Sequence, residues 1–359
     1  MTFKIAKKSL AVLLPAVGLV IALAARQEGD LRPEKLLEEK DFSGAMLVAK
    51  NGRVVFKSAR GFADLEGRIP LTTRSSFNLA SVSKQFTAAA VMLLSEEKKL
   101  DLDDPVARFL PELAYARGIT IRQLLNHTAG LPDYYEILDR TWDKTKIAGN
   151  EDVLRIFAER KPAVIFRPGE RMAYSNTGYI ILASVVERIA GVHFSRFLED
   201  RIFRPLGMKD SFVYDRTMPA YPRAERVFGF RIENGARVLD DLIYCDGTRG
   251  DGNVHSSAED LFIWDRALYG EALLKKETIR LMFSPGRLND GSSTDYGFGF
   301  GLSDGGKVVS HGGGWVGFRT QITRYIDRGD TLIVLINCLA PKSRGVMNEI
   351  IKLFSLDRN

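Results

Sequence analysis

The chain has 359 residues, 45% of them hydrophobic and 27% charged, and no internal repeat or low-complexity tract, so its apolar content is ample for a core. Its formal charge of +6 includes Lys4, Lys7 and Lys8; without that leading segment 48 basic residues face 45 acidic ones, or +3. A balance so close to neutral, with no long basic cluster and no interleaved aromatic platform, gives nucleic acid no support as a partner.

Taken in order, the segment Met1 to Ala25 opens on lysines, continues as a long apolar run from Leu10 and ends on the small-x-small triplet Ala22-Leu23-Ala24. That pattern predicts an export signal cleaved near Ala24 or Ala25. The run is also about long enough to span a membrane, so an uncleaved anchor is the alternative. No cysteine follows it, which argues against a lipid anchor. Arg32 to Asp41 is a charged lead-in of helical character. Ala45 to Ala49 and Val54 to Phe56 then flank Asn51-Gly52, a hairpin signature because a tight turn of this kind needs positive φ at both positions.

The most informative stretch is Phe77-Asn78-Leu79-Ala80-Ser81-Val82-Ser83-Lys84, continuing to Leu94. If a helix begins near Ser81, residues three apart share a face, and the Lys84 amine reaches the Ser81 hydroxyl. Phe86, Ala90, Leu93 and Leu94 form the buried stripe that fixes that helix. A hydroxyl becomes a nucleophile when a base takes its proton, and an amine does so only when neutral. Lowering a lysine pKa from about 10.4 to about 7 costs roughly 4–5 kcal/mol, which a packed site with a second cation nearby could supply. Ser-x-x-Lys is a weak pattern by itself, and Ser95-Glu96-Glu97-Lys98 repeats it in a polar charge run beside Lys99, where it reads as a solvated face.

Leu100 to Pro105 reads as a loop opening a short helix, and Ile119 to Gly130 as a helix closed by Gly130, with His127 structural. Residues 105–225 are mostly helical. Within them Pro168 to Tyr179 forms a turn followed by an amphipathic helix to Gly191, which places Tyr174 and Asn176 in the loop before its first turn. A phenol can share a proton with a lysine and a serine, and an amide can hold a substrate carbonyl. The plain alternative is that Tyr174 packs and Asn176 caps the helix.

From Val227 strands return: Phe298–Leu302, Lys307–Ser310, Thr320–Ile326 and Thr331–Ile336, separated by turn residues such as Asp327 to Asp330. They predict an antiparallel sheet, with the helical repeat Val346, Met347, Ile350, Ile351 and Phe354 packed on it. His311-Gly312-Gly313-Gly314 falls at a strand end, where glycine lets a ligand backbone lie along the edge and a strand amide can face a developing oxyanion, a donor that contributes roughly 3–4 kcal/mol. The fold class that follows is α+β. A sheet lobe comes from residues 40–80 and 227–359, and a mainly helical lobe from residues 100–225, in one domain spanning 26–359.

Gly301-Leu302-Ser303-Asp304-Gly305 fits a nucleophile-elbow motif, but that motif needs strand, turn and helix, whereas a strand follows here; a hairpin turn around Ser303 is expected instead. His127, His193, His255 and His311 include no close ligand pair, so no metal site is expected. Cys245 and Cys338 read as two buried thiols, with a disulfide as the alternative.

Taken together, Ser81-x-x-Lys84, Tyr174-x-Asn176, His311-Gly312-Gly313 and the phrases Leu124 to Leu131 and Gly250 to Leu261 resemble the serine β-lactamase and penicillin-binding family. The branch is that of class C β-lactamases, D,D-peptidases, D-aminopeptidases and related esterases, and the resemblance covers residues 40–355. It implies the β-lactamase/transpeptidase-like fold, with Ser81 as the acylated nucleophile, Lys84 as its base and Tyr174 as the proton shuttle. Asn176 would contact the acyl side chain, and the backbone N–H groups of Ser81 and Gly314 would bind the oxyanion. His311 stands where many members carry a charged lysine, and a histidine near neutral pH is only partly charged. That departure is closer to the D-aminopeptidase and esterase-like members. Arg319 or Arg324 could restore the charge.

The leading segment predicts an exported, periplasmic or secreted protein, membrane-anchored if that segment is not cleaved; a monomer is expected, and no metal or organic cofactor is implied. Its substrate would be a small molecule or peptidoglycan-like peptide: an amide, ester or β-lactam. A non-catalytic cell-wall sensor on the same scaffold is the rival reading.

Overall fold

The computed structural model describes residues 32–64, 66–218, 226–338, 340 and 345–356; the export signal or anchor expected over 1–25 lies outside them. Among the described residues no helix is long and apolar enough to cross a membrane. After α1 (Arg32–Glu39), β1 (Ser43–Lys50) and β2 (Arg53–Arg60) form the expected hairpin, with Asn51 and Gly52 at φ of +50° and +72°. Next come β3 (Phe77–Asn78), α2 (Lys84–Glu96), and a helical stretch. That stretch comprises α3 (Ile121–Leu125), α4 (Tyr134–Thr141), α5 (Asn150–Arg160), α6 (Asn176–Ala190), α7 (Phe194–Leu198) and α8 (Arg204–Leu206). The chain then runs through β4 (Phe212–Val213), β5 (Phe230–Glu233), β6 (Ala236–Leu239) and β7 (Val254–Ser256). It continues with α9 (Ala258–Ala267), α10 (Lys276–Met282), β8 (Gly301–Ser303), β9 (Val308–Trp315), β10 (Phe318–Tyr325), β11 (Asp330–Cys338) and α11 (Val346–Leu353).

The main path of the large sheet runs β2-β1-β11-β10-β9-β8, antiparallel throughout, with the β5–β6 hairpin attached at Cys338 of β11. Both of its faces are covered, which is why β1 and β11 are almost continuously apolar rather than alternating. Met46, Val48, Leu332, Val334 and Ile336 face a smaller cluster with Leu37 of α1 and Val346 and Ile350 of α11. Ala45, Leu47, Ile333 and Leu335 face the larger core shared with α2, α6 and α9. Side chains alternate across a strand, so one run of residues serves both layers. A second sheet, β3-β7-β4, joins the sheet to the helices.

Four sequence expectations need correction. The helix expected over Ile119 to Gly130 is only α3. Thr120 and Gln123 cap its start, and the chain leaves helical geometry at Asn126 and reverses at His127, φ +59°. Gly130 is not its cap: a Cβ there would lie 2.2 Å from the Phe166 carbonyl oxygen, so the residue marks a close approach of two segments.

The strand expected from Phe298 begins only at Gly301, because the Gly297 N–H donates to the Phe300 carbonyl and the Phe298 N–H to that of Met282, turning the chain. Conversely, β9 does not stop at Ser310 but runs through all three glycines to Trp315, paired with β10 along its length. Finally, the mostly helical middle also supplies β4, a two-residue strand too short to carry a period-2 signal.

Candidate active site

Where the large sheet meets the helices, β3 leads into a sharp turn. Asn78 Oδ1 accepts the Ala80 N–H at 2.8 Å, and Ala80 sits at φ +47°, an uncommon conformation that costs an alanine on the order of 1 kcal/mol and needs support from its surroundings. Support comes from both sides: the Thr320 hydroxyl donates to the Leu79 carbonyl at 2.7 Å, and Ser83 Oγ accepts the Val254 N–H at 3.1 Å. Gly313 permits the approach, since a Cβ there would lie 2.3 Å from Leu79 O and 2.3 Å from Thr320 Oγ1.

The helix was expected to start near Ser81. Instead Ala80–Ser83 form a 3₁₀ turn and α2 begins at Lys84. In a 3₁₀ turn residues three apart eclipse one another, and Lys84 Nζ accordingly lies 3.2 Å from Ser81 Oγ. Ser81 opens onto a cleft of about 400 Å³, while Lys84 is wholly buried. The other Ser-x-x-Lys, Ser95 and Lys98, lies where α2 ends, with Lys98 exposed.

Lys84 Nζ is also 2.9 Å from Asn176 Oδ1 and 2.8 Å from the Asp251 carbonyl oxygen. A charged ammonium has three protons for these three partners. A neutral amine has two, and because the amide and carbonyl oxygens can only accept, its lone pair is left for the Ser81 hydroxyl proton. The orientation of Asn176 is set from behind: Asp133 Oδ2 accepts its backbone N–H at 2.9 Å and its side-chain NH₂ at 3.1 Å. Asn176 is thus the first residue of α6 rather than a loop residue. Asp251 follows two positions after Arg249, a buried guanidinium paired with Glu187 at 2.8 Å and Asp215 at 3.3 Å.

Tyr174 stands in the loop before α6, 45% exposed, its ring centroid 4.9 Å from Lys84 Nζ. Its hydroxyl makes no hydrogen bond to the described residues. His127 supports the ring from below at 4.3 Å between centroids, and its Nδ1 accepts the Ser175 N–H at 3.2 Å. Burial, reinforced by Lys84, drives the His127 pKa well below its usual range, so this imidazole is a neutral platform.

The other histidine is neutral too. His311 Nδ1 lies 2.6 Å from the Gly312 carbonyl, which can only accept, so Nδ1 carries the proton and Nε2 accepts from the Tyr296 hydroxyl at 2.8 Å. Burial, then Lys84, pulls its pKa down to about 4. Neither arginine restores the missing charge. Arg319 shares the sheet face of Gln321, opposite Thr320, and donates to the Val316 and Phe318 carbonyls. Arg324 is fully buried against Asp265 at 2.8 Å and does not reach solvent or the cleft.

The cleft wall continues through Tyr134, Tyr135, Glu136, Gly314 and Trp315. Beyond Ser310, where pairing with β8 ends, the outer edge of β9 is open among the described residues, with Gly312 and Gly314 exposed along it. Ser303 lies instead in an exposed strand-turn-strand connection. Cys245 and Cys338 are buried free thiols.

Sequence reasoning missed Asp133, Glu136 and the carboxyl of Asp251. Burial pushes the Asp251 pKa up to about 6 against the opposing pull of Lys84; its Oδ2 accepts the Tyr134 hydroxyl and its Oδ1 has no hydrogen-bond partner among the described residues. The Gly250-Asp251-Gly252-Asn253 phrase was the available signal for Asp251; nothing local marked Asp133.

A family model described as Beta-lactamase matches residues 32–355. A penicillin-binding protein of Bacillus subtilis is 40% identical over 316 residues, covering 85% of this chain and 70% of the relative. A D-aminopeptidase of Brucella ovis is 28% identical over 82% of this chain, which spans only 56% of that longer protein. Among solved structures, a penicillin binding protein from Bacillus halodurans superposes with a TM-score of 0.77 at 27% identity, covering 90% of this chain and 99% of the other.

Proposed function

The chain belongs to the Beta-lactamase family as a serine hydrolase, and from that premise we propose that it works through a covalent acyl-enzyme at Ser81 on an amide, ester or β-lactam. The observation that carries this reading is the buried Lys84 amine 3.2 Å from Ser81 Oγ, with its other two directions taken by oxygens that can only accept. In its neutral form the Lys84 amine takes the hydroxyl proton as Oγ bonds to the substrate carbonyl carbon. The backbone N–H groups of Ser81 and Gly314 would receive the oxyanion. Tyr174, its hydroxyl free and its ring beside Nζ, passes the proton to the departing nitrogen or oxygen as the scissile bond breaks. Water then attacks the acyl carbon, giving one proton to the neutral lysine, which passes it to Ser81 Oγ as the acyl–oxygen bond breaks, so the acid leaves and the serine hydroxyl and neutral amine are restored.

The open edge of β9 suits an extended substrate, which would add to it as a further strand. The leading apolar segment supports export, with the site acting outside the cytoplasm. The test is a fluorophosphonate probe with mass spectrometry. An adduct on Ser81, absent from Ser81→Ala together with turnover of nitrophenyl butyrate, is expected. An adduct elsewhere, or undiminished turnover in the variant, rejects the assignment. A panel of nitrocefin, D-alanyl peptides, D-amino acid amides and short esters then ranks the substrate classes.

A further inference from the structure

One buried carboxylate near the cleft takes no part in the acyl-transfer steps. Asp246 is 1% exposed and is not among the residues that line the cleft. Its oxygens are committed singly: Oδ1 accepts the Trp315 indole N–H at 2.9 Å, and Oδ2 accepts the Ile243 N–H of its own turn. The second bond is ordinary turn chemistry. The first commits a buried carboxylate, costly to desolvate, to a side chain 69 positions away that does line the cleft.

The turn that carries Asp246 is fixed to the helical side. The Ala148 N–H, just ahead of α5, donates to the Tyr244 carbonyl at 2.8 Å, and the Arg216 N–H donates to the Asp246 carbonyl at 3.0 Å. Trp315 comes from the sheet side, as the last residue of β9 paired with β10. One hydrogen bond therefore ties the two sides together at this end of the cleft. An independent feature marks the same place. Val316, the next residue, sits at φ +40°, an outlier for a β-branched side chain. Gly317 beyond it donates its N–H to the Asp240 carbonyl at 2.8 Å, and a Cβ there would lie 2.3 Å from the Phe230 nitrogen. Such strain persists only where the surroundings over-determine it. The indole also meets Tyr135 of α4 edge-on at 5.9 Å, and Tyr135 stacks on Tyr244 at 6.2 Å.

The part of the substrate that meets this wall follows from the strand. Tyr174, which in the acyl-enzyme reading protonates the leaving group, lies at the His311 end of β9, with 6.2 Å between ring centroids. Trp315 is four residues further on, about 13 Å along an extended strand. With the leaving group toward Tyr174, the acyl group extends toward Trp315.

We propose that Asp246 is a positioning residue for acyl-group selection: it holds the Trp315 indole as the wall against which a bulky acyl group packs. This rests on the acyl-enzyme reading of Ser81 and adds the residue that sets the shape of its acyl side.

The test uses the full chain with nitrophenyl acetate and nitrophenyl phenylacetate, which share a leaving group and differ only in the acyl group. Asp246→Ala and Trp315→Ala should each lower the phenylacetate to acetate ratio of kcat/KM by about fivefold or more. The double variant should lower it no further than Trp315→Ala alone, because the carboxylate acts only through the indole. A second measurement needs no Asp246 variant. By NMR, the indole N–H signal that Trp315→Ala removes should exchange with solvent in the wild type more slowly than that of Trp142, whose bond to the Lys146 carbonyl is exposed. Equal or faster exchange, an unchanged ratio in either single variant, or a further fall in the double variant overturns the inference. If turnover in those cases still disappears in Ser81→Ala, the acyl-enzyme reading stands. Turnover that survives in Ser81→Ala, or no turnover of either ester, brings down that reading and the inference with it.

Discussion

The Tyr296 hydroxyl donates to His311 Nε2 across 2.8 Å, and that bond takes the histidine out of use as a cation. With Nδ1–H committed to the Gly312 carbonyl and the ring buried, there is no free lone pair left to protonate without breaking a contact.

The consequence is measurable in stability. The folded state holds His311 at about 4, below the usual value of 6.5, so between those limits the unfolded chain binds the extra proton. The contribution is complete above about pH 6.5 and is lost as pH falls toward 4, on the order of 3 kcal/mol at most. Asp246, Asp251 and Asp260, each raised to about 6 by burial, act with opposite sign in the same range. The informative quantity is therefore a difference. Urea unfolding of the wild type and His311→Gln at pH 7 and pH 5 should show a gap between the two proteins that narrows at pH 5; a gap independent of pH contradicts the assignment.

Lys84→Met should lower the rate of Ser81 acylation by a fluorophosphonate by about 10²–10⁴-fold, the range expected for losing a positioned base. The variant also leaves Asn176 Oδ1 and the Asp251 carbonyl without their shared donor. Lys98→Met, at the exposed end of α2, serves as the control and should acylate at the wild-type rate. Equal rates for the two variants would remove the lysine from the mechanism.

Gly313→Ala places a methyl group 2.3 Å from the Leu79 carbonyl oxygen, which is backbone and cannot swing aside. The strand and the Ser81 turn must separate, at a cost of about 1–3 kcal/mol in stability and with a marked fall in kcat. At Gly312 the obstructing atom is Gln321 Oε1 at 2.9 Å, the end of a flexible side chain, so Gly312→Ala should be far milder. Thermal melts and nitrophenyl ester kinetics on the pair check this, and equal effects would argue against the close approach.

Burial pushes the Cys245 thiol up to about 12 and raises that of Cys338 as well. Both should therefore resist a thiol reagent in the native protein and react together on unfolding. A single thiol titrating rapidly under native conditions, or neither reacting after denaturation without reductant, would contradict the structure.

The sequence by itself determined the elements whose signal is local. Asn51-Gly52 needed only its own backbone preference to mark the hairpin, the spacing of Ser81 and Lys84 placed them within one turn, and the apolar runs of β1 and β11 announced buried strands. It misjudged where neighbours distant in the chain set the outcome. The Phe166 carbonyl, rather than helix capping, accounts for Gly130, and the Leu79 carbonyl and Thr320 account for a glycine at 313 inside a strand. Only the tertiary structure decided the chemistry of the site, because protonation depends on burial and on partners. Lys84 takes its other acceptors from 92 and 167 positions along the chain, burial holds His311 neutral with Tyr296 on its Nε2, and Asp133 orients the Asn176 amide that Lys84 meets. Residue types and spacings fix which groups are available; the dielectric and hydrogen bonds around them, which no local pattern encodes, fix their charge.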